Sequence, residues 1–90
     1  MKFEWDEKKS AINLSKHGID FETAAELWDD EDRIQIQTAF PIENRSILIG
    51  KIGEKLWAAI YTRRNNAIRI ISVRRARKKE AKFYEQKENS

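Results

Sequence analysis

After residue 33, apolar residues either alternate with polar ones or, as over residues 45–52, occupy both faces of a short segment, and both patterns predict β-strands. Ile34, Ile36 and Thr38 alternate with polar residues, as expected for a half-buried strand near the edge of a sheet. Pro41 then predicts a loop. Three further strands are predicted over residues 45–52, 56–63 and 67–75. Only short turns separate these three strands, so they are expected to form an antiparallel meander.

Residues 7–17 are predicted to form the first helix, because signals for a helix start and a helix end flank them. Asp6 is a suitable N-cap, and Gly18 can adopt the left-handed conformation that ends a helix. Lys16 and His17 place positive charge near the carbonyl end, where it stabilises the helix dipole.

A second helix is predicted to begin at Asp20, another residue suited to an N-cap. Its apolar residues fall at helical spacing on one face: Phe21, Ala24, Ala25 and Trp28. Such a face requires a sheet to cover. The acidic run at residues 29–32 follows, and we interpret it as a solvated turn.

The predicted architecture is an α+β domain of order β-α-α-β-β-β-β-α, with a small antiparallel sheet and helices packed on one of its faces. A short strand at residues 3–5 begins it, and a helix from residue 77 to about 87 ends it. We expect a single domain over residues 1–87, because a chain of 90 residues is too short for a second core. Residues 88–90 are expected to fray.

Charge is distributed unevenly along the chain. Residues 1–45 carry 6 basic and 11 acidic groups, a net charge of −5, whereas residues 46–90 carry 12 basic and 4 acidic groups, a net charge of +8. Clustered lysine and arginine gain free energy by displacing the counterions of phosphates. The C-terminal half therefore favours a polyanionic partner such as nucleic acid, although a solvated basic tail is an alternative.

The composition excludes several classes of protein. There is no cysteine, hence no disulfide, thiolate zinc site or cysteine nucleophile, and a single histidine argues against a histidine-rich metal centre. We expect neither a cofactor nor a metal ion. No segment approaches the ~20 apolar residues of a membrane span, and the first ten residues lack the apolar core of a signal peptide. A cytoplasmic location is the expectation.

The arginines of the last two strands are candidate phosphate ligands, since guanidinium forks match pairs of phosphate oxygens. Alternation divides residues 68–75 into two faces: Ile68, Ile70, Ser72 and Arg74 on one, and Arg69, Ile71, Val73 and Arg75 on the other. Arg74 and Arg75 then point apart, and Arg64 lies at the opposite end of the hairpin from Arg74. Arg45 or Lys51 would have to bridge them. For any one arginine, a surface ion pair is the alternative.

Four side chains could transfer protons: His17, Glu80, Tyr84 and Lys51. His17 is of a residue type that commonly transfers protons, but its position before Gly18 also suits a helix cap. Glu80 and Tyr84, one helical turn apart, could act as acid and base or form an ordinary surface pair. The residue types alone do not show which of the four side chains transfers the proton.

Several motifs together resemble the BrnT-type toxins of bacterial type II toxin–antitoxin modules, small proteins with a RelE-like ribonuclease fold. They cover nearly the whole chain: FEWDEKK at residues 3–9, NLSKHGIDFETA at 13–24, ENR at 43–45, Gly50, YTRR at 61–64, and IRIISVRRA at 68–76 with Glu80 and Tyr84. The resemblance implies cleavage of RNA that inhibits translation, without a metal ion. It also implies neutralisation by an antitoxin with a ribbon-helix-helix DNA-binding domain.

Carried onto this chain, the resemblance assigns catalysis most strongly to Arg64 and Arg74, then to Arg45, Lys51 and Glu80. His17 is a further catalytic candidate because its residue type can transfer protons. Additional RNA contacts are expected from the basic residues nearby and one aromatic residue: Arg63, Arg75, Arg77, Lys78 and Tyr84. The alternative function is a non-catalytic protein that uses the same basic surface to bind nucleic acid or an acidic segment of the antitoxin.

Overall fold

The computed structural model describes residues 1–37 and 44–88, and it confirms the α+β class. The elements in chain order are β1 (Lys2–Glu4), α1 (Glu7–His17), α2 (Phe21–Ala24), a 3-10 helix (Ala25–Asp29), β2 (Ile34–Gln37), β3 (Ser46–Ile52), β4 (Lys55–Arg64), β5 (Ala67–Arg75) and α3 (Lys78–Glu88). Thr38, predicted in the second strand, and the loop predicted at Pro41 lie outside the described residues.

The strands form one sheet of order β1-β5-β4-β3-β2. Neighbours from β2 to β5 are antiparallel, as the meander predicts. The prediction of a wholly antiparallel sheet is wrong, because β1 pairs parallel to β5. A parallel pair requires a long crossover between its strands, and here that crossover is the whole of the chain from α1 to β4.

The two N-terminal helices begin where their caps predict. Asp6 accepts hydrogen bonds from the N–H groups of Lys8 and Lys9 at 2.8 and 3.3 Å, and Gly18 ends α1 at a φ of 79°. Asp20 accepts from the N–H of Thr23 at 2.8 Å, which also lowers the pKa of the Asp20 carboxyl. After one turn, α2 tightens into the 3-10 helix.

Helices cover both faces of the sheet, so the prediction that they share one face is wrong. The main core packs α2 and the 3-10 helix against one face, and its largest buried members include Phe21, Leu27, Tyr61, Ile68 and Ile70. A smaller core packs α3 on the opposite face, where Tyr84 contacts Ile49 and Ala58. Adjacent residues of one strand belong to different cores, as period-two geometry requires.

A β-bulge in β5 changes which side chains share a face. Ile60 pairs with Ser72 but Tyr61 pairs with Ile70, so Ile71 is an extra residue on β5. Val73 therefore lies in the same core as Ile70, which corrects the strict alternation predicted for this strand. Beyond the bulge, Arg74 turns toward the face that α3 covers.

The outer edge of β5 is closed by two different elements. β1 pairs only with residues 67–69, at the beginning of the strand. Farther along, α1 packs against β5, and the Asn13 side chain accepts a hydrogen bond from the N–H of Val73 at 3.1 Å. The same side chain donates to the carbonyl of Ile19 at 2.8 Å. Two hydrogen bonds thus fix α1 beside the sheet.

Candidate functional site

A basic cleft lies at the hairpin end of β4 and β5. It has a volume of about 390 Å³, and its lining residues are Lys9, Asn44, Arg45, Thr62, Arg63, Arg64, Arg69 and Ile71. Five of these eight side chains are cationic, and none of the described lining residues is acidic. We call this feature the arginine cleft. Its charge suits a phosphate-bearing ligand.

Local structure positions the cations of the arginine cleft. The turn between β4 and β5 uses Asn65 and Asn66 at φ values of 51° and 65°, as in the tight hairpin turns that asparagine favours. This turn keeps Arg63 and Arg64 beside the beginning of β5. The Thr62 hydroxyl donates to the carbonyl of Asn44 at 2.9 Å and so holds the residues before β3 against β4.

Arg69 of the arginine cleft forms an ion pair with an acidic side chain of β1. Its Nη1 atom lies 3.1 Å from Oε2 of Glu4 on β1, and the two side chains are 30% and 38% exposed. Because both ends of this ion pair reach solvent, it contributes little to stability and can yield to a stronger anion. The parallel pairing of β1 with β5 sets Glu4 directly beside Arg69.

A second concavity lies between α1 and β5. Its volume is about 170 Å³, and its lining residues are Lys9, Ile12, Asn13, Lys16, His17, Ile71 and Ser72. The α1 members recur at three- and four-residue intervals and therefore share one helix face. We call this feature the α1 groove. It shares Lys9 and Ile71 with the arginine cleft, so the two concavities lie next to each other.

Arg74 and Glu80 form a two-point ion pair at the start of α3. Nη1 and Nη2 of Arg74 donate to Oε1 and Oε2 of Glu80 at 2.8 and 2.9 Å, and Oε1 also accepts from the N–H of Arg77 at 2.7 Å. The hydrogen bonds from Arg74 lower the pKa of the Glu80 carboxyl, although burial acts in the opposite direction. Both side chains thereby anchor α3 to the sheet.

Tyr84 and Asp30 form a second polar contact beneath α3. The buried Tyr84 hydroxyl donates to Oδ2 of Asp30 at 2.8 Å, and this oxygen also accepts from the N–H of Lys51 at 2.8 Å. Burial by itself would raise the pKa of the Asp30 carboxyl. The hydrogen bonds from the N–H of Asp32, from Tyr84 and from the N–H of Lys51 outweigh burial, so the pKa lies below its ordinary value. Asp30, which was predicted to lie in a solvated turn, therefore connects α3 to β3.

The predicted site residues do not form one cluster. Arg64 pairs with Ala67 and Ala58 pairs with Arg74, which confirms that Arg64 and Arg74 lie at opposite ends of the hairpin. Arg45, Arg63 and Arg64 meet in the arginine cleft, and His17 lies in the α1 groove. Lys51 instead lines a shallow depression with Glu26, Asp29 and Asp30.

The remaining predicted RNA contacts lie outside the two concavities. The Arg75 guanidinium sits over the Trp57 ring, 5.4 Å from its centroid, on the sheet face opposite Arg74. This confirms that Arg74 and Arg75 point apart. Arg77 and Lys78 are exposed at the beginning of α3.

Three cations of the two concavities were not among the predicted site residues: Lys9, Lys16 and Arg69. Lys9 and Lys16 lie seven residues apart in a predicted helix. This spacing alone could have predicted that both lysines lie on one side of α1, near His17. Arg69 had a signal of its own, because the register of the tight hairpin pairs it with Thr62, two residues before Arg64.

Within residues 1–37 and 44–88, no group of three or more potential ligand side chains could hold a metal ion. No helix in this part of the chain is both long and apolar enough to cross a bilayer.

Comparison with protein families matches residues 5–80 to the ribonuclease toxin, BrnT, of type II toxin–antitoxin systems. The chain belongs to the BrnT family. The matched span contains the arginine cleft and the α1 groove in full. Membership in the BrnT family implies an RNA substrate and an antitoxin partner. No individually curated protein matches the chain.

Proposed function

We propose that this BrnT-family chain is an endoribonuclease that cleaves RNA without a metal ion and thereby inhibits translation. The observation that carries the proposal is the arginine cleft, where Arg45, Arg64 and Arg69 meet Lys9 around one concavity. We propose further that its fold is RelE-like and that a ribbon-helix-helix antitoxin neutralises it. The family resemblance supports these last two points.

The arginine cleft is suited to binding the RNA backbone. Guanidinium groups donate two parallel hydrogen bonds to phosphate oxygens, and each phosphate neutralised releases counterions. Arginine stays protonated in proteins, so these side chains can bind and orient a phosphate but cannot accept its proton.

We propose that His17 transfers the proton, and the contacts of the other three candidates support this choice. Glu80 receives three hydrogen bonds and has a lowered pKa, and Tyr84 is buried with its hydroxyl directed at Asp30. Lys51 lies among three carboxylates, which repel phosphate. His17 alone of the four opens onto a concavity that joins the arginine cleft.

The reaction that fits these groups is transesterification within RNA. The ribose 2′-hydroxyl loses its proton and attacks the adjacent phosphorus, and the bond to the 5′-oxygen of the next nucleotide breaks as that oxygen gains a proton. The products are a 2′,3′-cyclic phosphate and a free 5′-hydroxyl. A histidine can accept the first proton or supply the second, because its ordinary pKa lies near neutrality.

The test is cleavage of RNA by the purified chain in EDTA. We expect products with 2′,3′-cyclic phosphate ends, a strong loss of cleavage in His17→Ala, and weaker RNA binding in Arg64→Ala. Lys82→Ala, an exposed charge removal on α3, is the matched control and should behave as the parent chain. Circular dichroism shows whether each variant folds.

The alternative function, a non-catalytic RNA-binding protein, is favoured by the same cleft and makes the opposite prediction. RNA would be retarded in gels with a steep dependence on salt, and it would remain intact after long incubation with the folded chain. Loss of cleavage only when EDTA is present would contradict metal independence but not ribonuclease activity.

A further inference from the structure

We infer that the phosphate to be cleaved lies in the α1 groove, where Lys16 stabilises its developing charge beside His17, and that the arginine cleft binds a neighbouring phosphate of the same strand. This inference rests on the proposed ribonuclease function. It assigns a catalytic role to Lys16 and limits the arginines of the cleft to substrate binding.

The first step is that the two concavities are adjacent. Lys9 and Ile71 line both of them, so an RNA strand that leaves the arginine cleft at Lys9 can pass into the α1 groove. Seven residues of helix separate Lys9 from Lys16, a rise of about 10.5 Å at 1.5 Å per residue. Cations therefore stand at both ends of the groove, and one phosphate near each is compatible with an extended strand.

The second step is the reach of the proton-transfer residue. A general acid or base must come within roughly 2.6–3.2 Å of the oxygen whose proton it moves. His17 lies in the α1 groove and does not line the arginine cleft. The reacting phosphate must consequently lie in the groove with His17.

The third step is the charge available at that position. Attack by the 2′-hydroxyl places additional negative charge on the phosphate oxygens, which a nearby fixed cation stabilises. Lys16 lines the groove next to His17, whereas the arginines lie beyond Ile71 in the cleft. Of the two lysines that line the groove, Lys16 is the sequence neighbour of His17, whereas Lys9 lies about two helical turns away, where the groove meets the cleft.

The fourth step is the surface offered to the rest of the nucleotide. Ile12 lies on the groove with 63% of its surface exposed, so its side chain is accessible to a ligand. An apolar side chain between two lysines can contact a base or ribose while the lysines bind phosphates. We therefore assign the groove to single-stranded RNA, whose bases are free to turn outward.

The fifth step is rigidity. Asn13 hydrogen-bonds both to β5 and to the segment after α1, and Ser10 accepts a hydrogen bond from the N–H of Phe21 at 2.9 Å. These buried contacts fix the rotation of α1 about its axis. The groove face is thus held toward Ile71 and Ser72 before substrate arrives.

The experiment separates catalysis from binding by measuring kcat and KM on a short RNA with three variants. We expect Lys16→Ala to lower kcat by 10²- to 10³-fold with little change in KM, the range found when a donor to a developing oxyanion is removed. Arg64→Ala should raise KM and leave kcat within a few-fold of the parent value. Lys8→Ala, which removes the same charge from an exposed position on α1, is the matched control.

The outcomes distinguish failure of the inference from failure of the proposed function. If the parent chain cleaves RNA but Lys16→Ala matches Lys8→Ala in kcat, the scissile phosphate is not in the groove. If Lys16→Ala keeps its kcat and instead loses affinity for the antitoxin, the groove is a protein contact and the inference is overturned. If the folded parent chain never cleaves RNA, the proposed function itself fails.

Discussion

The side chain of Asn13 on α1 accepts a hydrogen bond from the backbone N–H of Val73 on β5 at 3.1 Å, at the stretch of sheet edge that β1 leaves unpaired. A buried polar side chain here takes the place of a neighbouring strand. It satisfies a backbone donor that would otherwise be buried without a partner, and it sets α1 beside the bulge that shapes the α1 groove.

Asn13→Ala should destabilise the fold, because it leaves the N–H of Val73 and the carbonyl of Ile19 without their shared partner. The expected loss in the free energy of unfolding is roughly 1–3 kcal/mol per group left unsatisfied. Urea denaturation measures it. Ser15→Ala, an exposed change on the same helix, is the control. Equal stability of the two variants would contradict a structural role for Asn13.

Replacement of Glu80 should change how stability depends on pH. The folded pKa of Glu80 lies below its ordinary value of 4.5, chiefly because Arg74 donates to it. Its contribution is therefore complete above about 4.5 and is lost as pH falls through the lower folded pKa. At neutral pH, Glu80→Gln should cost roughly 1.5–3 kcal/mol, the range for hydrogen bonds to charged groups.

The corresponding measurement compares parent and Glu80→Gln unfolding in urea at pH 7 and at pH 3. The stability difference between them should shrink at the acidic pH, because below about 4.5 the unfolded parent binds a proton at Glu80 and the contribution of the carboxylate falls. Glu85→Gln, on an exposed position of α3, should show no such dependence. A difference that grows on acidification would refute the assigned direction of the pKa shift.

Glu4→Gln should strengthen RNA binding, because it removes the carboxylate that lies 3.1 Å from Arg69. An exposed ion pair of this kind contributes up to about 1 kcal/mol, and that free energy no longer opposes binding of Arg69 to a phosphate. The affinity for RNA should therefore rise about two- to fivefold at low salt. A 2′-O-methyl RNA, which lacks the attacking hydroxyl, allows binding to be measured alone. Glu22→Gln, exposed on α2, is matched in charge and should leave the affinity unchanged.

Gly50→Ala should destabilise the chain although alanine suits a strand better than glycine does. A Cβ at position 50 would meet both the carbonyl oxygen and Cδ2 of Leu27 at 3.2 Å. The side-chain atom can rotate away but the backbone oxygen of the 3-10 helix cannot, so we expect a loss of about 1–3 kcal/mol. An unchanged thermal midpoint would show that the helix can move off β3.

The elements themselves were predictable because their signals are local. Asp6 and Gly18 delimit α1 at the predicted residues, and two asparagines with positive φ make the hairpin that joins β4 to β5. Helix caps and tight turns depend on a few neighbouring residues. The alternation of apolar and polar residues likewise predicts which side chains of a half-buried strand are buried. The separation of Arg64 from Arg74 along the hairpin followed from the same local rules.

Interactions between distant residues decided the rest. No residue type marks Ile71 as a bulge, because a bulge exists only relative to the partner strand, and it reversed the face predicted for Val73. The parallel pairing of β1 and the docking of α1 on the edge of β5 also depend on segments 60 or more residues apart. Sequence alone thus determined the elements and the basic residue types available for RNA. Tertiary structure decided that the arginine cleft and the α1 groove meet at Lys9 and Ile71, whereas Arg74 and Glu80 hold α3 in place, because strand register and helix docking assign each long side chain its neighbours.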